Sequence, residues 1–142
     1  MKLPRFISYL CTALVFAAPA FPRNVAPPDT SSNGLKVTIE GLVRDLACPI
    51  QNDAATATEF NLRCARDCAR QGSPLIILAR DGKIYIPISD SMPDKNQRQR
   101  LMPFVGKFVQ ASGTLFQRNG TRAIAISEIK EMRKVHLITD AK

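Results

Sequence analysis

The 142-residue sequence predicts an all-β fold with short helices: a small OB-type five-stranded barrel with a helical insertion between strands 1 and 2. Three observations carry this. Apolar residues alternate with polar ones in several short runs. Two glycine pairs, Asp81-Gly82 and Asn119-Gly120, each join two such runs in the manner of a hairpin. A helix-like segment with two cysteines separates the first strand from the second. The order is strand, insertion, hairpin, short helix, hairpin, with the second helix between strands 3 and 4. A small open sandwich is the competing architecture.

The domain is expected to span residues 35–129, with a tail or short terminal strand at 130–142. Residues 1–20 read as a secretory signal, with an uncleaved N-terminal anchor as the alternative. Lys2 and Arg5 precede an apolar run from Phe6 to Ala18, and Ala18-Pro19-Ala20 has the small residues of a cleavage site. The run is short for a membrane span, so cleavage would leave no stable span. Residues 21–34, with Pro22, Pro27, Pro28 and Gly34, read as a flexible leader. Loss of the signal removes two of the 20 basic residues, leaving 18 against 12 acidic ones, a net charge of +6.

Val37 and Ile39 alternate with polar neighbours in the first strand, and Gly41 signals a bulge or bend. Pro49 disfavours helix at Cys48, which is expected on an extended loop. Thr56 or Thr58 is the expected cap of the following helix. Phe60, Cys64 and Cys68 then fall on one stripe, expected to face the body of the protein. Gly72 is placed to end that helix.

Leu75-Ile76-Ile77-Leu78 reads as a buried strand, and Lys83 to Ile88 as its return. Pro87 can donate no ladder bond, so that strand is expected to lie at an edge or to end there. Ser91, with Asp94 three residues on, has the pattern of a helix start. Lys107 to Phe116 and Thr121 to Ile129 form the last hairpin. Val135 to Ile138 is the candidate terminal strand.

Removal of the signal also removes Cys11 and leaves Cys48, Cys64 and Cys68. An odd number of cysteines in an oxidising compartment admits a bridge plus a free thiol, a trithiolate metal site, or an intermolecular bridge. Cys64 and Cys68, four apart on a helix, have Cβ atoms about 5–6 Å apart, too far for a mutual disulfide. They can both address Cys48. The first reading is therefore a structural disulfide from Cys48 to a helix cysteine, and the second a soft-metal site for Cu or Zn. The third is a thiol acidified by Arg63, Arg66 and Arg70, in a periplasmic thiol–disulfide enzyme or redox sensor.

Fourth-ligand candidates are weak: Asn61 and His136, the chain's single histidine. One histidine leaves no triad to assemble, and no phosphate loop appears. The aspartates, Asp45 among them, read as turn and cap residues. Lys95, Arg98, Arg100, Lys107, Arg118 and Arg122 form a weak anion-binding set. An OB-type barrel using it would bind an anionic polymer or oligosaccharide, such as an envelope component. The export signal argues against nucleic acid, and aromatics for base stacking are sparse at 6%.

The run Val37-x-Ile39-x-Gly41, Cys48, Cys64-Ala-x-x-Cys68-Ala-x-x-Gly72-x-Pro74 and Asp81-Gly82-Lys83-x-Tyr85 resembles a group of uncharacterised secreted bacterial OB-like proteins. The resemblance spans residues 35–129 and implies export and a barrel. The group has no established activity. Its members often carry a histidine three residues before the first helix cysteine, where this chain has Asn61. The resulting expectation is an exported, non-enzymatic binding or envelope-accessory module.

Overall fold

The computed structural model describes residues 34–141. The expected signal at 1–20, and all of the expected leader except Gly34, lie outside the described residues. Five strands form a closed barrel in the order β1-β2-β3-β5-β4. They are β1 (Leu35–Asp45), β2 (Leu75–Ala79), β3 (Ile84–Ile88), β4 (Phe108–Arg118) and β5 (Thr121–Glu131). All pairings are antiparallel except β3 with β5. This is the expected OB-type barrel, with helix α3 (Arg98–Leu101) between β3 and β4. Helices α1 (Ala47–Gln51) and α2 (Leu62–Arg70) fill the insertion between β1 and β2. Among the described residues, no helix is long and apolar enough to cross a membrane.

The strand β1 serves two partners. Residues 35–42 pair with β4 and residues 41–45 with β2, so Gly41 stands where both partners meet it. A Cβ there would overlap the carbonyl oxygen of Leu78, which accounts for the glycine. Upstream of Gly41 burial largely alternates, as expected for one wet face. From Gly41 to Asp45 every residue is buried, because the insertion covers the outer face.

The same cover explains the apolar run of β2. Val43, Leu75, Ile77, Val109 and Ile124 belong to the cluster that fills the barrel. Leu42, Ile76, Leu78 and Phe108 belong to a second cluster, with Phe60 and with Ala65 of α2. Alternate residues of β2 thus enter different cores, and both faces are apolar. Each fully buried Leu, Ile or Phe contributes about 1.5–3 kcal/mol by leaving water.

The turns form as expected at one hairpin and more widely at the other. Asn119 and Gly120 both take positive φ, 48° and 78°, as a two-residue turn with that sequence requires. At Asp81-Gly82 the loop is longer: Gly82 N–H donates to Ala79 O, and Ala79 N–H to Lys83 O. Pro87 is not on an edge strand, since β3 has a partner on both sides, but β3 ends at Ile88, one residue on, which is the other outcome expected. Pairing of β3 with β2 stops at Tyr85, and Pro87 stands opposite Ile124 of β5. No β2 carbonyl therefore waits for its missing donor.

Two further expectations are corrected. The helix expected at Ser91 starts at Arg98, since Asp94 accepts the Ser89 N–H at 2.7 Å and closes a loop instead. The terminal segment makes isolated bridges, Glu59 with Ile138 and Asn61 with Asp140, and so straps the insertion.

The tightest backbone approach is at Gly113, beside the register shift of β4 against β5. A Cβ there would overlap the carbonyl oxygen of Ala125, which belongs to the partner strand and cannot swing away. Gly113→Ala is expected to cost about 1–3 kcal/mol, read as a lower urea midpoint at constant m-value. An unchanged midpoint would contradict this packing.

A candidate metal centre in the insertion

The site begins at the end of β1. Asp45 is fully buried, and its Oδ2 accepts the Cys48 N–H at 2.8 Å. Leu46, at the N-cap of α1, has no side chain able to cap, and Asp45 does so from one residue earlier. Pro49 belongs to the first turn of α1, where an absent N–H costs nothing. Cys48 is therefore helical and not on the extended loop expected from Pro49. The other Asp45 oxygen lies 3.4 Å from Nη2 of Arg44, which is also buried at 1% exposure.

The second element is α2. Its cap is Asn61, whose Oδ1 accepts the Cys64 N–H at 2.8 Å. Neither expected cap, Thr56 or Thr58, serves: Thr56 instead accepts the Glu59 N–H in the preceding turn. Gly72, at φ 98°, ends the helix as expected, and the Arg98 guanidinium donates to the carbonyls of Ala69 and Ser73. The buried stripe is Ala65 and Ala69, one residue round from the expected Cys64 and Cys68. Small alanines let the helix sit close on the barrel. The cysteines are left half-buried on its flank, facing α1.

The three sulfurs meet there. Sγ of Cys48 lies 3.2 Å from Sγ of Cys64, and Cys64 Sγ lies 4.0 Å from Cys68 Sγ. All three lie within 4.8 Å of one another, the one such group among the described residues. All three are free thiols. The expected bridge from Cys48 is not formed in this structure, since 3.2 Å far exceeds a covalent S–S length of about 2.05 Å. A tetrahedral ion with Zn–S bonds of about 2.3 Å needs sulfurs about 3.8 Å apart. The observed triangle brackets that value, so the donor set suits one thiophilic ion.

Two of the thiols, Cys48 and Cys68, have pKa values shifted upward. Burial, then the shared contact with Cys64 and the charge of Asp45, push the Cys48 thiol up to about 11, with Arg44 opposing. Burial and Asp45 also raise Cys68. The expected acidifying arginines point to water: Arg63 and Arg70 reach Asp67 at 3.7 and 2.6 Å, and Arg66 is exposed.

Asn61 stands beside Cys64, but its oxygen is held by the helix cap. His136 is exposed and outside the sulfur group. The basic set is dispersed in its duties. Arg98 caps α2, Arg100 donates to Ile126 and Ser127 carbonyls, and Lys107 pairs with Glu131 at 3.0 Å. Arg122 reaches the Gly120 carbonyl at 3.4 Å, while Lys95 and Arg118 are exposed. The residue missed in the sequence is Arg44; Asp45 is a cap, as expected, and what was missed is its burial beside Arg44. Their signal is two charges set directly between Leu42-Val43 and Leu46-Ala47.

No family model matches the chain, and no curated protein and no solved structure matches it.

The raised Cys48 pKa has a stability consequence. The folded thiol keeps its proton up to about 11, whereas an unfolded one loses it near 9.0. Stability from this source is whole below pH 9.0 and is lost as pH rises toward 11. Metal-free wild type should therefore lose stability relative to Cys48→Ala across that window, measured by urea unfolding. Parallel pH profiles would contradict the assignment.

Proposed function

We propose that this protein is an exported, non-enzymatic binding module that holds one soft metal ion, Cu(I) or Zn(II), on Cys48, Cys64 and Cys68. The observation that carries this is the convergence of three free sulfurs from two helices within 4.8 Å. Soft thiolates select such ions over hard ones. Thiolate formation lets the ion replace three protons, and the charge of the ion offsets the cost that burial imposes on the bare thiolates. The apolar packing of α2 fixes the donors before metal arrives, so little ordering is required on binding. The export reading rests on Lys2, Arg5, the apolar run and Ala18-Pro19-Ala20. The raised thiol pKa values speak against a thiol–disulfide enzyme, which needs a thiolate near neutral pH.

One observation favours a second reading. At 3.2 Å, Cys48 and Cys64 are near enough for an oxidant to close a bridge with little movement. That bridge would tie α1 to α2 and leave Cys68 as the remaining thiol.

The test is anaerobic titration of reduced protein lacking residues 1–20 with Zn(II) or Cu(I) against a chromophoric chelator. One ion per chain should bind, with all three thiols protected from alkylation. Affinity should rise with pH, because protons leave as metal enters. Each Cys→Ser change should cost more than the roughly 10–100-fold typical of an outer-shell partner. Equal alkylation with and without metal would refute the proposal. A bridge between Cys48 and Cys64 in protein purified without reductant would favour the second reading.

A further inference from the structure

A cavity of about 170 Å³ adjoins the sulfurs, lined by Arg44, Cys48, Asn52, Phe60, Asn61 and Cys64 among others. Cys68 is not on its wall. Arg44 is the largest fully buried side chain among the described residues, and two of its nitrogens, Nε and Nη1, have no hydrogen-bond partner. Asp45 engages only Nη2, at 3.4 Å, and its other oxygen is held by the Cys48 N–H. The ring of Phe60 lies 5.8 Å from the guanidinium carbon, a cation–π contact that offers neither nitrogen an oxygen acceptor. A buried cation with two unsatisfied donors beside a cavity calls for an acceptor within it, because leaving such donors bare is costly.

We propose that this cavity is a binding site for a small monoanion, a carboxylate or halide, held by Arg44 beside Cys48 and Cys64. Charge and size both select the class. Asp45 already balances much of the guanidinium charge, so a multivalent anion is disfavoured. The volume holds about five waters at the roughly 30 Å³ each occupies in the liquid, enough for formate or chloride and too little for a nucleotide. The site stands without any metal and is independent of the reading above.

Reduced, metal-free full-length protein is titrated with sodium formate at constant ionic strength. The Arg44 Nε resonance is followed by NMR, beside that of Arg63, whose side chain is 93% exposed. The expected result is a saturable shift at Arg44 and a weak, linear drift at Arg63. Maleimide alkylation gives a second readout in the same wild-type protein. With formate at about ten times its dissociation constant, labelling of Cys48 and Cys64 should slow about tenfold, with Cys68 unchanged. A linear drift shared by both arginines would overturn the proposal. So would equal slowing at Cys48, Cys64 and Cys68. Failure to bind Zn(II) or Cu(I) would leave it intact, since no metal enters the test.

Discussion

The hydrogen bond from Cys48 N–H to the buried carboxylate of Asp45 decides where the chain goes when it leaves the barrel. A carboxylate with no exposure at a strand end is expensive to bury, and it persists only because its oxygens are occupied. One holds Arg44 and the other starts α1. Strand β1, the first turn of α1 and Cys48 therefore form one rigid corner. Its partner Leu75, opposite Asp45 in the ladder, ties the corner to β2. Without Asp45, Arg44 would be a buried charge with no counter-ion, and α1 would lose its cap.

On that corner the insertion is laid as a second layer. Phe60, Ala65 and Leu42 close the outer core, and the carbonyls of Ile138 and Thr139 accept the N–H groups of Phe60 and Leu62. The helix is thus fixed by packing beneath, by the terminal segment at its start and by Arg98 at its end. Its flank carries Cys64 and Cys68 to the corner that carries Cys48. The sulfur triangle is a product of barrel packing and not of a local cysteine motif. That is why its spacing in sequence matches no short metal-binding pattern.

The barrel was legible because its signals are local: the alternation before Gly41, the Asn119-Gly120 turn and the apolar run at Leu75. The three cysteines were legible as a set because helix geometry forbids Cys64 and Cys68 from bridging each other. The details that failed depend on what lies across space. The buried stripe moved from the cysteines to Ala65 and Ala69 because close contact with the barrel favours the smaller side chain. Cys48 is helical because Asp45 supplies a cap that Pro49 alone does not reveal. Arg98 looked like surface charge until α2 presented its carbonyls. Arg44 and Asp45 were hidden for a related reason: charges at a strand end read as a turn, and only the overlying insertion buries them.

Free sulfurs held at 3.2 and 4.0 Å, with the Cys48 and Cys68 protons retained by burial, are suited to exchange protons for a single ion. The same burial leaves Cys48 and Cys68 poor nucleophiles. X-ray absorption at the metal edge of the loaded protein tests this most directly. The account predicts three sulfur scatterers at about 2.3 Å. A shell made only of nitrogen or oxygen neighbours at about 2.0–2.1 Å would contradict it.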